Sequence, residues 1–259
     1  MIPKIIHYCW LSGDPFPSDI KKCIESWKLH MPDWDFRLWD LKAVEGIESI
    51  WLKETIQTRK WAFAADFIRL FAVFHYGGIY LDSDVIVFKS LEPFLINECF
   101  IGRENSMHLV GFENTKRYLG SHCFGAEKGN IFIKTCLDYY ENRRFILSNN
   151  RVLTETLRYD MKILPEIQSI IASSRFGLND KYIFNKLQSL KFLTVYPSEY
   201  FDSIKETPLS FCRHLALGSW REKVDKAYVY TLKDKIEWRI RFIVESLLRH
   251  FNFVLIKLK

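Results

Sequence analysis

The sequence predicts an α/β fold built on a parallel sheet, and three observations carry that expectation. Strand-, helix- and strand-patterned segments succeed one another within the first 40 residues, the usual opening of such a sheet. A nearly all-apolar helix at 62–76 runs through Gly77 and Gly78 into the strand IYLD. That strand ends in two aspartates, Asp82 and Asp84, and open α/β sheets bind ligands beyond the carboxyl ends of their strands.

The elements follow in order. KIIHYCW at 4–10 reads as a buried strand. Ser18 is placed to cap a helix reaching about His30, which Pro32 closes, because the residue before a proline avoids the helical region. DFRLWD at 35–40 is a second strand, 49–60 a second helix and 62–76 a third. After the two aspartates the apolar run resumes from Val85 to Phe88. The stretch 100–200 mixes strand-like CFIGR with helical IFIKTCLDYYENRR. With no internal repeat and no low-complexity linker, one domain is expected over 1–220, followed by a C-terminal helical appendage at 221–259.

Composition narrows the class. A chain of 259 residues with 48% hydrophobic content can bury a large core, and core packing accounts for most of its 16% aromatic residues. The six cysteines show no CxxC pair or zinc-like spacing, which favours a reducing compartment. The opening MIPKIIHYCWLSGD lacks the features of a secretory signal, and no run of about 18 apolar residues occurs. A cytoplasmic protein is therefore expected, with the inner face of the plasma membrane as a peripheral station.

Of the net charge of +6, residues 221–259 supply +5, with ten Lys or Arg against five Asp or Glu. The body is close to neutral, which argues against a nucleic-acid surface. Within the appendage, Ile236, Ile240, Ile243, Leu247 and Phe251 recur at spacings of three or four. Residues 235–259 thus read as a basic amphipathic helix. Two uses are open to it: packing on the domain, or meeting an anionic membrane through Arg239, Arg241, Arg249 and the terminal lysines.

The chemistry concentrates between residues 64 and 88. Asp66 and Arg69 are the charged residues of the apolar helix, three apart and so on one face. A buried charge needs a partner, and they suit a structural ion pair. They equally suit ligand binding, Asp66 to a sugar or ribose hydroxyl and Arg69 to a hydroxyl or phosphate oxygen, and the two roles are compatible. Asp82 and Asp84, one residue apart, suit Mn2+ or Mg2+ holding a diphosphate, which makes a nucleotide-sugar enzyme the leading reading; a solvated turn at a sheet edge is the plainer one. His214, in CRHLALGSW at 212–220, is the candidate third ligand. Ser219 and Trp220 beside it offer a hydroxyl and an indole N–H to diphosphate oxygens. Trp10, ending the first strand, suits stacking on a nucleobase such as uracil or a place in the core. Tyr80 joins the candidate substrate-binding residues.

Together these pieces resemble the DxD glycosyltransferases of family 32, which include bacterial capsular and lipopolysaccharide sugar transferases and yeast mannosyltransferases. A more distant likeness reaches the glucosylating domains of the large clostridial toxins. The likeness rests on IPKIIHYCWLSG at 2–13, ESWKLHMPDWDFRLWD at 25–40, AADFIRLFAVFHYGGIYLDSDV at 64–85 and HLALGSW at 214–220. It implies a GT-A fold, a Rossmann-like single domain, and sugar transfer from a nucleotide sugar, UDP-linked by preference, to a saccharide or lipid-linked glycan with retention of anomeric configuration. It also implies that Trp10 stacks on the base and that Asp66 and Arg69 hold the donor sugar. Asp84 would bind the metal directly, Asp82 would lie nearer the ribose and reach it through water, and His214 would be the third ligand. GFEN at 111–114 and FGAEKGN at 124–130 resemble acceptor-side segments of relatives.

No pair of carboxylates stands out as nucleophile and acid in the manner of a glycosidase. A front-face transfer is therefore expected, in which the departing phosphate takes the acceptor's proton. Two other classes compete. A haloacid dehalogenase-like phosphatase would use Asp82 as nucleophile and Asp84 as acid, but it leaves Asp66 and Arg69 without a role. A non-catalytic glycan-binding module has no need of the aspartate pair.

Overall fold

The computed structural model describes residues 1–105, 108–110, 114–147, 158–160, 162–181, 184–203 and 206–218. Ser219, Trp220, residues 111–113 of GFEN and the whole segment 221–259, with its expected basic helix, lie outside them.

The described chain opens with β1 (Ile5–Cys9), α1 (Ser18–His30) and β2 (Asp35–Trp39), followed by α2 (Ile50–Gln57) and α3 (Trp61–Tyr76). Then come β3 (Gly78–Leu81), β4 (Val85–Val87) and β5 (Cys99–Arg103), a short pair β6 (His108–Val110) and β7 (Asn114–Lys116), and β8 (Leu119–Ala126). The remainder is α4 (Ile131–Asp138), β9 (Ile146–Leu147), β10 (Arg158–Tyr159), α5 (Leu164–Phe176), β11 (Gln188–Leu190), β12 (Leu193–Tyr196), α6 (Ser198–Phe201) and β13 (Cys212–His214).

Seven strands form the central sheet in the order β11-β12-β5-β8-β3-β1-β2. Five of them, β12, β5, β3, β1 and β2, run one way, while β8 and β11 run against them. The expected parallel sheet is present, with strand direction reversed at β8 inside it and at β11 on its edge. A parallel return needs a crossover of a dozen or more residues, usually a helix, and between β5 and β8 the described chain carries only β6 and β7. The result is a Rossmann-like α/β domain with one reversed strand set inside its sheet.

Alternation along each strand divides the core. Ile6, Ile79, Leu81, Phe100 and Cys123 join Trp27 of α1 and Phe201 of α6 on one face. Cys9, Tyr80, Ile101 and Phe124 join α2, α3, α4 and α5 on the other. Such period-two sorting makes a three-layer helix–sheet–helix sandwich. All six cysteines are buried and free.

Local chemistry sets the boundaries. Ser18 does not cap α1: Pro17 occupies the N-cap position and no side chain caps the helix, since Pro17 presets the backbone and Ser18 falls within the first turn. Ser49 does cap α2, its hydroxyl accepting from Leu52 N–H. The helix expected at 49–60 ends earlier, at Gln57, and Arg59 takes a left-handed conformation before α3 begins. IFIKTCLDYYENRR is helical only to Asp138.

The turn from α3 into β3 is demanding. Gly77 and Gly78 have φ of +68° and +103°, and a Cβ at Gly78 would lie 2.7 Å from Ile5 O, a position open only to glycine. His7 of β1 locks this turn. Its Nε2–H donates to Gly77 O (2.8 Å), and Nδ1 accepts from Trp39 Nε1–H (3.2 Å).

Burial pushes the His7 pKa from 6.5 down to about 4. The unfolded chain takes up this proton near pH 6.5, so stability falls progressively from there to about pH 4, by about 3 kcal/mol in all. Urea unfolding at pH 7 and pH 4.5 should show His7→Gln losing about 2 kcal/mol less over that interval than the unaltered chain. Equal losses would exclude His7 as the buried neutral group.

Candidate active site

The site is built around the end of β3. Asp82 N–H donates to His122 O (2.9 Å), and Val85 N–H donates to Asp82 O (3.0 Å), closing a tight turn over 82–85 that carries the chain out of the sheet into β4. β4 pairs antiparallel with β13, setting His214 opposite Val85. The late segment then wraps Asp84: Leu215 N–H donates to its backbone carbonyl and Leu217 N–H to its Oδ2, both at 3.0 Å. His214 Nε2 lies 3.2 Å from Asp84 Oδ1. One ligand atom each from Asp82, Asp84 and His214 lie within 4.8 Å of one another.

Arg69 ties this turn to α3. Its guanidinium lies 3.2 Å from Asp66 Oδ1 and 3.2 Å from Asp82 Oδ1, and also donates to Ser121 O (2.8 Å) and Ser121 Oγ (3.1 Å). Nε–H donates to Ala65 O (3.1 Å), and the cation sits 4.6 Å from the centre of the Tyr80 ring. Tyr80 O–H donates to Asp82 Oδ1 (2.9 Å). Asp66 also receives Leu164 N–H (3.2 Å), so it serves the uncapped N-terminus of α5 from across the core.

The electrostatics follow from burial and neighbours. Burial raises Asp66 to about 6, with Arg69 and the Leu164 amide opposing. Tyr80 is pushed well above the usual phenol range by burial and so stays a donor to Asp82. Burial would lower His214, but the adjacent Asp84 carboxylate prevails and holds it at about 9. Burial works against ionised Asp84 too, yet His214 keeps it below the usual carboxylate range. The imidazolium thus stands where a divalent cation would compensate the same charge. Two carboxylates with one imidazole fit Mn2+, and fit Mg2+ less well because of its preference for oxygen.

The structure brings Asp66, Arg69, Tyr80, Asp82, Asp84 and His214 together. The structural ion pair between Asp66 and Arg69 is present, and the second carboxylate on Arg69 is Asp82. A solvated turn at a sheet edge is not what forms: β3 has β8 on one side and β1 on the other, and Asp84 is 8% exposed. Trp10 lies at the same end of the sheet, half-buried, its Nε1–H donating to Asp14 O (2.6 Å) and its ring against Phe16 (centroids 5.1 Å).

Two site residues escaped the sequence. Register between β5 and β8 jumps from Ile101↔Phe124 to Gly102↔Gly120, so Ser121, His122 and Cys123 bulge toward β3, as bulges beside functional sites often do. Ser121 then meets Arg69. His122 stacks on His214 (centroids 4.9 Å, planes 10° apart), with Nε2 on Phe201 O at 3.1 Å. The signal was the polar pair Ser-His inside an otherwise apolar buried strand.

Residues 17–101 match the family model for a glycosyltransferase sugar-binding region containing a DXD motif. Asp82-Ser83-Asp84 lies within that span. Among curated proteins, the chain is 36% identical over 115 residues to the mannosyl phosphorylinositol ceramide synthase SUR1 of Saccharomyces cerevisiae, covering 41% of this chain and 29% of the relative. It is 30% identical over 129 residues to the inositol phosphoceramide mannosyltransferase 3 of Schizosaccharomyces pombe, covering 46% and 35%. The chain thus spans about a third of the length of these curated relatives. Among solved structures, the PaToxG glycosyltransferase superposes with a TM-score of 0.45 at 18% identity, over 67% of this chain and 70% of that one.

Removing Arg69 leaves Asp66 and Asp82 uncompensated in the interior. Arg69→Met is expected to cost about 3–5 kcal/mol of unfolding free energy, read by urea denaturation. A loss below about 1 kcal/mol would mean that the pairs are solvent-screened.

Proposed function

We propose that this chain is a metal-dependent, retaining glycosyltransferase. It takes a hexose or N-acetylhexosamine from a nucleotide sugar, UDP-linked by preference, and passes it to a saccharide or lipid-linked glycan in the synthesis of a surface polysaccharide or glycolipid. The observation that carries this reading is the convergence of Asp82, Asp84 and His214 within 4.8 Å, beside Arg69. The matching sugar-binding region supports it, and the names of the curated relatives bring mannose among the donor sugars and a phosphoinositol-bearing lipid among the acceptors.

In this reading Asp82, Asp84 and His214 would hold Mn2+ or Mg2+, which when bound would supply Lewis-acid stabilisation of the departing diphosphate. Arg69, fixed by five acceptors, orients Asp82 and keeps the site's charge balanced before donor arrives. Asp66 and Arg69 are assigned to the donor sugar and Trp10 to the base, and Ser219 and Trp220 are assigned to the diphosphate from the sequence alone. The carboxylates are already committed: Asp66 to Arg69 and Leu164 N–H, Asp82 to Arg69 and Tyr80, and Asp84 to His214 and Leu217 N–H. None is left to attack an anomeric carbon, which favours front-face transfer with the leaving phosphate oxygen accepting the acceptor's proton. The same commitment of Asp82 argues against its use as a phosphatase nucleophile.

A panel of UDP- and GDP-sugars, assayed for hydrolysis and transfer with Mn2+ or Mg2+, tests the reading. At least one donor should be turned over with retention, and Asp84→Asn should lower the rate by on the order of a hundredfold or more while the chain still folds and melts in one cooperative transition. Full activity in EDTA or in Asp84→Asn refutes metal-dependent transfer, and release of phosphate from a simple monoester would move the assignment to a phosphatase.

No helix among the described residues is long and apolar enough to cross a membrane. We assign the basic segment 235–259 to an anionic lipid surface. The full chain should co-sediment with phosphatidylserine-containing vesicles at low salt, each basic residue at the surface contributing about 1 kcal/mol. A chain ending at residue 234 should stay in the supernatant, and equal sedimentation of both would return the segment to a packing role.

A further inference from the structure

Arg103 ends β5 and is fully buried. Its Nη2 donates to Asn179 O, while Nε and Nη1 have no hydrogen-bond partner, leaving three N–H donors unmet. No carboxylate lies within ion-pair distance of it among the described residues. A second buried guanidinium stands close by: Arg117 donates through Nη1 to Glu104 O (2.8 Å) and Ser198 Oγ (2.9 Å). Burial first, and the charge of Arg117 second, lower the Arg103 pKa to about 10, with Asp180 acting the other way. The side chain is therefore cationic at neutral pH.

Such a group is an expensive occupant of a core. A buried ion without its counter-charge, with donors unsatisfied, costs several kcal/mol, and an aliphatic side chain of the same length would pack there at no such cost. Unsatisfied buried donors in a folded protein call for an explanation in function or in an absent ligand.

Its position supplies one. Ile101 of β5 and Tyr80 of β3 both lie opposite Phe124 of β8. Past Ile101 the register jumps, so Arg103 lies opposite Leu119 while Asp82 N–H donates to His122 O; β3 and β5 are parallel with β8 between them, so both residues stand at the same edge of the sheet. Their strands are two spacings apart, about 10 Å across the sheet. That separation suits an acceptor whose reacting hydroxyl meets the donor sugar at the Asp82–Asp84 turn while a neighbouring substituent reaches β5.

We propose that Arg103 is an acceptor-side anion site that binds the phosphoryl oxyanion of a phosphomonoester or phosphodiester carried by the acceptor. A guanidinium offers fixed, planar, charge-assisted donors that match phosphate geometry, and three open donors exceed what one neutral hydroxyl can accept. The proposal rests on the glycosyl-transfer reading only for naming the ligand as acceptor; anion binding at Arg103 stands by itself.

The full chain in EDTA, where no metal draws phosphate to Asp82 and Asp84, is titrated calorimetrically with inorganic phosphate, methyl phosphate and dimethyl phosphate. Thermal melting is followed in phosphate and in chloride of equal ionic strength. Phosphate should raise the melting temperature where chloride does not, and the two esters separate a monoester site from a diester site. Arg103→Met should melt higher than the unaltered chain in chloride, because an unmet charge is gone, and should bind phosphate ten- to a hundredfold more weakly, on the order expected for lost charge-assisted bonds. Arg103→Lys, which keeps the charge without the planar donors, should fold and bind with an intermediate loss. The proposal is overturned if the unaltered chain does not respond to phosphate, if either variant binds as well as it does, or if Arg103→Met melts lower or fails to fold. Metal-dependent donor hydrolysis by the unaltered chain is measured alongside; its absence would refute the transferase reading while leaving the phosphate result to judge Arg103.

Discussion

The charge of Arg69 is the constraint on which the site depends. A guanidinium in the second layer of an apolar helix is tolerable only with its hydrogen-bonding capacity filled and its charge matched. Here the filling groups come from three separate elements: Asp66 on α3, Asp82 at the end of β3, and Ser121 in the bulge of β8. Each is pinned independently, Asp66 by an α5 amide and Asp82 by Tyr80 and the His122 carbonyl. The arginine therefore sets the distance between helix and sheet and the direction in which the Asp82 carboxylate points.

The reversed strand makes this possible. With β8 between β3 and β5, the carboxyl ends of two parallel strands flank the early part of one antiparallel strand, and the residues displaced at its register jump must face one of them. They face β3. Ser121 then reaches Arg69 from below and His122 lies flat against His214, so a late strand pair outside the main sheet is steadied by a residue within it.

What the sequence showed plainly was local. The apolar run of α3, its two charges on one face, the glycine pair and the aspartates after IYL are all read within 25 residues, and CFIGR fell on β5 residue for residue. Ser18 misled because its residue type suits a cap while Pro17 before it takes that position. Arg69 and Asp82 could not be paired from spacing, since their meeting depends on the sharp turn at Gly77 and Gly78. Ser121, His122 and Arg103 were hidden because their surroundings are made by strands whose order crosses the sequence. His214 was found through its late motif, not through any local pattern.

The pairing of β4 with β13 joins residues about 130 positions apart at the very turn that bears the two acidic groups. The stretch 17–101 therefore cannot assemble this site by itself. Excised, it would lack the central strand β1 beside β3, the bulged strand that completes the arginine's shell, and the imidazole that closes the acidic turn. Transplanting the Asp82–Asp84 turn onto another scaffold would require a discontinuous exchange, taking the early and late pieces together.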